Sequence, residues 1–257
     1  MLPRAWRPAP YLKRLILQEN TPRVITGPFK DLNYIRRSFS SALYPKILGL
    51  YERELHPVVD EIIEIRFDRV VDVGAAEGYY AIGLAMRCPG TSVVAFEMAS
   101  EGQLLLREMA QLNGVSDRLE IRGFCNPREL TQALATKEGR HLLICDCEGY
   151  EEELLNLDQV PALRNTAILV ELHEFISRGI SQRIRARFEA SHMIEEMWSE
   201  ERQAKEFPLS TLYTRLMPQK YLAEFLFEYR PEAMNWFWMK PKQQQTSFDS
   251  EIAAKSP

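Results

Sequence analysis

The chain has 257 residues, 46% of them hydrophobic and 26% charged, with a net charge of −4. This suits one sizeable α/β domain, or two small ones, and excludes a wholly disordered chain. Nowhere do eighteen apolar residues run together, so no membrane-spanning helix is expected.

The N-terminus, MLPRAWRPAPYLKRLILQEN, lacks a long apolar core followed by a small-residue cleavage site. It is read as retained, in a cytoplasmic protein. Cys88, Cys125, Cys145 and Cys147 include no Cys-x-x-Cys pair, and four reduced thiols fit that compartment. Residues 1–40 carry eight Lys and Arg against two acids, which leaves −10 for the remainder. Pro3, Pro8, Pro10, Pro22 and Pro28 interrupt the same stretch. A basic extension over residues 1–44 is expected, packed on the domain without a core of its own. It could touch an anionic partner, or simply lie solvated against an acidic domain.

The main domain is expected over 45–242. Leu48, Tyr51, Leu55, Val58, Val59, Ile62 and Ile63 recur at helical spacing, and Pro57 should break or restart that helix. Strands are predicted over 70–73, 92–97, 119–123, 141–145, 167–172, 193–198 and 235–239. Helices are predicted over 79–87, 101–113, 127–135 and 151–157. Strands alternating with helices imply a doubly wound, mostly parallel α/β sheet. The seventh strand, NWFWMK, reads as antiparallel at the sheet edge. Residues 200–233 form a helical insert, a possible substrate cap, and 243–257 read as a disordered tail.

VVDVGAAEGYYAIGLA, residues 70–85, runs from strand through a small-residue turn into a helix. In such sheets ligands sit beyond the carboxyl ends of the strands. The turn has no lysine, which excludes a phosphate-loop nucleotide. Ala76 and Tyr79 stand where a dinucleotide-binding turn needs glycines. S-adenosylmethionine fits better, because it carries no pyrophosphate. It needs a small-residue turn, helix N–H groups for its carboxylate and an acceptor for two ribose hydroxyls. Gly74, Ala75, Ala76 and Gly78 supply the turn, with Tyr79 opening the helix. Glu97 ends the second strand, followed by Met98. Asp72 either touches the ligand or braces the turn.

The same residues resemble the first motif of class I S-adenosylmethionine-dependent methyltransferases. ICDCEGYEEELL, residues 144–155, looks like the Asp-x-Glu-Gly-x-Glu segment of the FkbM-like family, with ILVELHEF following as the next strand. The resemblance implies a seven-stranded Rossmann-like methyltransferase fold and methyl transfer, typically to oxygen, with S-adenosylhomocysteine as product. It implies that Gly74, Ala76 and Gly78 line the cofactor, that Glu97 takes the ribose and that Asp146 faces the methyl donor. Ala76 replaces a glycine and is tolerable if its φ is negative. The third strand ends without an acid for the adenine, so Phe124 either packs on that ring or belongs to the core.

Near the methyl group the candidates are Asp146, Glu148, Glu171, His173 and Glu174. Alternation places Glu171 and His173 on one face. His173 is the expected general base, oriented by Asp146 or Glu171. Glu148 either belongs to that cluster or, with Gly149, only shapes the turn after strand four by bonding N–H groups at the next helix's start. A divalent ion on Asp146, Glu171 and His173 is possible but not favoured, since hydrogen-bonded carboxylates explain the same residues. Arg183 and Arg187 could grip an anion or lie solvated. Tyr213, Tyr221, Phe225 and Phe227 could line a pocket or cover the sheet.

The acceptor is expected to be a small molecule bearing a hydroxyl, of sugar or natural-product type. No Asn/Asp-Pro-Pro-aromatic motif follows strand four, so a nucleic-acid base is not expected. RNA ribose or protein methylation, or an NAD-dependent oxidoreductase, are the alternatives.

Overall fold

Seven strands order the molecule: β1 Arg69–Val73, β2 Ser92–Phe96, β3 Leu119–Arg122, β4 His141–Cys145, β5 Ala167–Leu172, β6 His192–Trp198 and β7 Asn235–Pro241. They form one sheet in the order β3-β2-β1-β4-β5-β7-β6. The structure is a computed structural model and describes residues 7–17, 20–135 and 139–242. β1 pairs in parallel with β2 and β4, β2 with β3, and β4 with β5. β7 runs antiparallel between β5 and β6. This is the Rossmann-like methyltransferase architecture expected from the sequence, with one difference: β7 lies inside the sheet, and β6 takes the edge.

Every residue of β5, and all but the first of β1 and β4, is buried. Such continuous burial needs cover on both faces. Alternate residues of β1, β2, β4, β5 and β7 divide between two apolar clusters. Val70, Val93, Ala95, Leu142, Ile144, Leu169, Trp236 and Trp238 face one side. Val71, Val73, Val94, Phe96, Leu143, Cys145, Val170 and Phe237 face the other.

The first face is covered by α3 His56–Ile65, α4 Tyr79–Arg87 and α5 Ser100–Leu112. Leu12, Ile16, Val24, Phe29, Leu32 and Tyr34 join the same cluster. The N-terminal segment therefore adds its apolar side chains to the main core. It also contains a helix the sequence reading lacks, α1 Pro8–Leu17. The second face is covered by α6 Pro127–Leu134, α7 Glu151–Leu154 and α8 Ile180–Phe188.

α2 covers Leu43–Leu48 and stops at Gly49, which is left-handed at φ 73°. A 3₁₀ turn over Arg53–Leu55 leads into α3, and Pro57 sits in its first turn. The proline thus restarts the helix, where its missing N–H costs nothing. In the insert, α9 Leu212–Leu216 and α10 Gln219–Glu224 are two short helices. Residues 243–257, read as a tail, lie outside the described residues.

Candidate active site

β1 and β4 are neighbours from which the chain winds to opposite sides, and the crevice beyond their carboxyl ends is the natural ligand position. Two turns meet there. The amides of Gly74 and Ala75 both donate to Phe96 O at 3.0 Å, and Asp146 N donates to Val73 O at 2.9 Å. A Cβ on Gly74 would fall 1.7 Å from Asp146 O, so only glycine allows this approach. Gly74 and Gly78 have φ of 86° and 96°. Ala76 is also left-handed, at φ 49°, so the condition of a negative φ is not met. A non-glycine residue there costs roughly 1–2 kcal/mol, which the surrounding bonds offset: Ala76 N donates to Glu97 Oε2 at 2.9 Å.

Glu97, at the end of β2, is buried. Its Oε1 also accepts from Ala99 N at 2.7 Å. Gly102 leaves it room, since a Cβ there would lie 2.7 Å from Glu97 Cγ. The carboxylate therefore braces the turn while still facing the cleft. Met98 and Phe124 stand exposed beside it, and Phe124 meets the Tyr150 ring at 5.3 Å. Phe124 is thus a surface side chain and not a core one.

Glu77, inside the turn, points the other way. It is fully buried and pairs with Lys46 Nζ at 2.7 Å. It also accepts from Tyr34 Oη at 2.6 Å, Ser38 Oγ at 2.6 Å and Phe39 N at 3.1 Å. Burial alone would raise its pKa, but Lys46 and the hydroxyls hold it below the ordinary value. The N-terminal segment is in this way bonded to the turn.

The crevice is a cleft of about 400 Å³. Its lining includes Asp72, Gly74, Ala75, Ala76, Tyr79, Glu97, Met98, Phe124, Asp146, Glu171 and His173. Of the expected ligand-site residues only Gly78 stays outside, as the left-handed residue preceding α4. Asp72 is buried, and burial with the nearby Glu97 charge pushes its pKa to about 7.

At the far end of the cleft the carboxylates crowd. Burial and the charges of Glu52 and Glu148 raise Asp146 well above the usual range. Burial and Asp146 do the same to Glu171. His173 Nε2 lies 3.6 Å from Asp146, 3.5 Å from Glu148 and 3.8 Å from Glu171. One donor atom each from Asp146, Glu171 and His173 falls within 4.8 Å of the others. Glu171 Oε1 is already paired with Arg230 at 2.6 Å.

Several expectations change here. Neither Asp146 nor Glu171 reaches His173 Nδ1; Glu151 does, at 2.8 Å. Glu148 does not bond the N–H groups after β4; Glu151 Oε1 accepts them, from Cys147 N at 3.2 Å and Gly149 N at 3.0 Å. Glu174 turns away to Gly179 N and Ser181 N. Arg183 is held by both oxygens of Glu152, and Arg187 by the Glu152 and Leu155 carbonyls. Tyr213, Tyr221 and Phe225 pack against the core.

The sequence reading missed Lys46, Tyr51, Glu52, Tyr80, Glu228 and Arg230, all of which line the cleft. Arg230 joins Glu52 at 2.8 Å, Glu171 at 2.6 Å and Glu228 at 3.1 Å. Tyr80 donates to Glu52. The only available signal was Arg230 standing just before the last strand, in the insert already suspected of covering the site.

The fold and the cleft together define an α/β protein with a crevice of about 400 Å³ at the β1/β4 switch point. No family model and no curated protein matches the chain. Among solved structures it is similar to the O-methyltransferase TomG from Streptomyces achromogenes in complex with SAM. That match has 11% identity, covers 75% of this chain and 81% of that one, and gives a TM-score of 0.47. An O-methyltransferase from Bacillus cereus in complex with SAH matches at 13% identity, 75% and 82% coverage and a TM-score of 0.46. A precorrin-6y C5,15-methyltransferase from Geobacter metallireducens GS-15 matches at 11%, 77% and 91%, and 0.49. Likeness at this level concerns chain architecture and not activity.

Proposed function

We propose that this chain is an S-adenosylmethionine-dependent methyltransferase acting on the hydroxyl oxygen of a small molecule. The observation that carries the reading is Glu97. It closes the strand beside β1, grips the turn through Ala76 N and faces a cleft whose other end gathers Asp146, Glu171 and His173. The residues fit the cofactor. The turn has no lysine for a phosphate, and Asp146 Oδ1 is buried without a hydrogen-bond partner. An unpartnered carboxylate oxygen favours positive charge nearby. The turn from Gly74 to Gly78 would hold the methionyl part, Glu97 the ribose, and Met98 with Phe124 the base.

When bound, the cofactor supplies an electrophilic methyl carbon on a positively charged sulfur. The chain's own residues do the rest. Asp146 and Glu171 hold their protons above the usual carboxyl range, and a cationic sulfur beside them would draw them toward the charged form. His173 Nε2 is the expected acceptor of the hydroxyl proton. Burial lowers the basicity of His173, but Glu151, Glu171 and Glu148 outweigh it, so its pKa is raised. The wall formed by Tyr229, Arg230 and Met234 helps to orient the acceptor.

Isothermal titration separates this from a dinucleotide enzyme on the same kind of sheet. S-adenosylhomocysteine is expected to bind, NADH is not, and Glu97→Ala should weaken binding about tenfold or more, as losing charged hydrogen bonds does. Binding of NADH alone, or unchanged affinity in Glu97→Ala, overturns the proposal.

A further inference from the structure

Glu151 has no exposed surface and lies one turn beyond the strand end that carries Asp146. A carboxylate so placed is costly unless its oxygens are used. Its Oε1 is used three times. It accepts from Cys147 N and Gly149 N, and it lies 2.8 Å from His173 Nδ1. The histidine contact has the length of a hydrogen bond without its alignment, and Oε2 has no partner.

The other charged groups around the imidazole stand elsewhere. From the β4 end, Asp146 and Glu148 face Nε2; from β5, Glu171 faces Nε2 as well. Arg230 lies behind Glu171, and the Phe175 ring meets the imidazole edge-on at 5.7 Å. One edge of the ring is thus backed by a single buried carboxylate, and the other looks into the cleft. The oxygen that backs it also ties down the turn between β4 and α7, whose residue Glu148 is left-handed at φ 53°.

We infer that Glu151 is the positioning residue of this site: it sets His173 by its Nδ1 edge and fastens the turn bearing Asp146 and Glu148 with the same oxygen. The chemical purpose of the arrangement rests on the methyltransferase reading, but its test does not. A carboxylate at Nδ1 selects the neutral tautomer with the proton on Nδ1, leaving Nε2 free to accept. It also makes the imidazole harder to deprotonate. These two signatures belong to the pair, and a merely structural glutamate would leave both unmoved.

The experiment is imidazole ¹⁵N NMR on the full chain across pH. The four histidines are assigned with His173→Asn, and His192, bonded to Thr166 O, serves as the internal report of an intact fold. In the wild type, neutral His173 is expected as the Nδ1–H tautomer, with a midpoint above 6.5. Glu151→Gln keeps an acceptor for the two backbone N–H groups and removes the charge. It should drop the His173 midpoint by about half a pH unit or more and release the tautomer preference. An Nε2–H tautomer in the wild type overturns the inference without any substitution, so a variant that fails to fold does not shelter it. An unmoved midpoint in folded Glu151→Gln overturns it equally. Failure here with intact S-adenosylhomocysteine binding leaves the functional reading standing; loss of that binding in the wild type sinks the reading alone.

Discussion

Gly74 and Ala76 sit two residues apart in one turn and make opposite demands. Gly74 is left-handed and meets the Asp146 carbonyl, a backbone atom that cannot swing aside. Ala76 is left-handed too, yet its methyl is accommodated and its N–H is anchored on Glu97. Gly74→Ala should therefore separate the β1 and β4 turns. It is expected to cost at least the ~1–3 kcal/mol of a forced left-handed residue and to abolish cofactor binding. Ala76→Gly should bind as well as the wild type, because it removes a strain and keeps the bond. Titration of both variants with S-adenosylhomocysteine checks the pair; equal losses would mean that the turn's geometry does not control the cleft.

At the scale of elements, the segment before β1 behaves as part of the fold. Its side chains fill the first core cluster, and Lys46 of α2 enters a pocket of the β1–α4 turn to meet Glu77. Removing one partner of a buried ion pair leaves an uncompensated charge, which costs about 3–5 kcal/mol. Lys46→Met should lose stability on that scale in urea titration. Lys46→Met with Glu77→Gln should recover much of it, and no recovery would show that the pair is not the reason. What the sequence disclosed follows the same division. β4, β5 and α4 were legible to the residue, because apolar runs and a clear change of period mark them. The small-residue turn after β1 and the gathering of Asp146, Glu171 and His173 in one cleft were legible too, since strand ends in a parallel sheet converge. The Lys46–Glu77 and Glu52–Arg230 pairs were not, as their partners lie 31 and 178 residues apart. No local pattern reports such a distance. Nor did alternation tell which acid backs His173, because Glu151 reaches it from a helix and not from a strand.

For the whole molecule, the cleft carries a cost that depends on pH. Burial pushes Asp72 and Glu228 to about 7, against 3.8 and 4.5 unperturbed, and raises Asp146 and Glu171 well above their ordinary range. Each of these acids binds its proton more tightly folded than unfolded. Stability therefore falls as pH rises between the two values, by at most ~1.4 kcal/mol per pH unit for each group. His173 acts in the same direction, since its raised pKa gives stability that is present below 6.5 and lost above. His56, His141 and His192 are lowered by burial and oppose the trend only near and below 6.5. Glu77 and Glu151 are lowered, so their contribution is present above about 4.5 and lost only in more acid solution. The ligand-free protein should thus melt at progressively lower temperature as pH rises from about 5 to 8, with the share of Asp72 and Glu228 lost by about 7. Asp72→Asn replaces a carboxyl that must ionise with an amide that cannot. It is expected to raise the Tm at pH 8, with a gain that shrinks by pH 5, where the folded carboxyl is already protonated. Calorimetry of the two proteins across this range decides it. A gain that does not depend on pH would trace to packing, and a flat wild-type profile would mean that water or bound cations already relieve the carboxylates of the cleft.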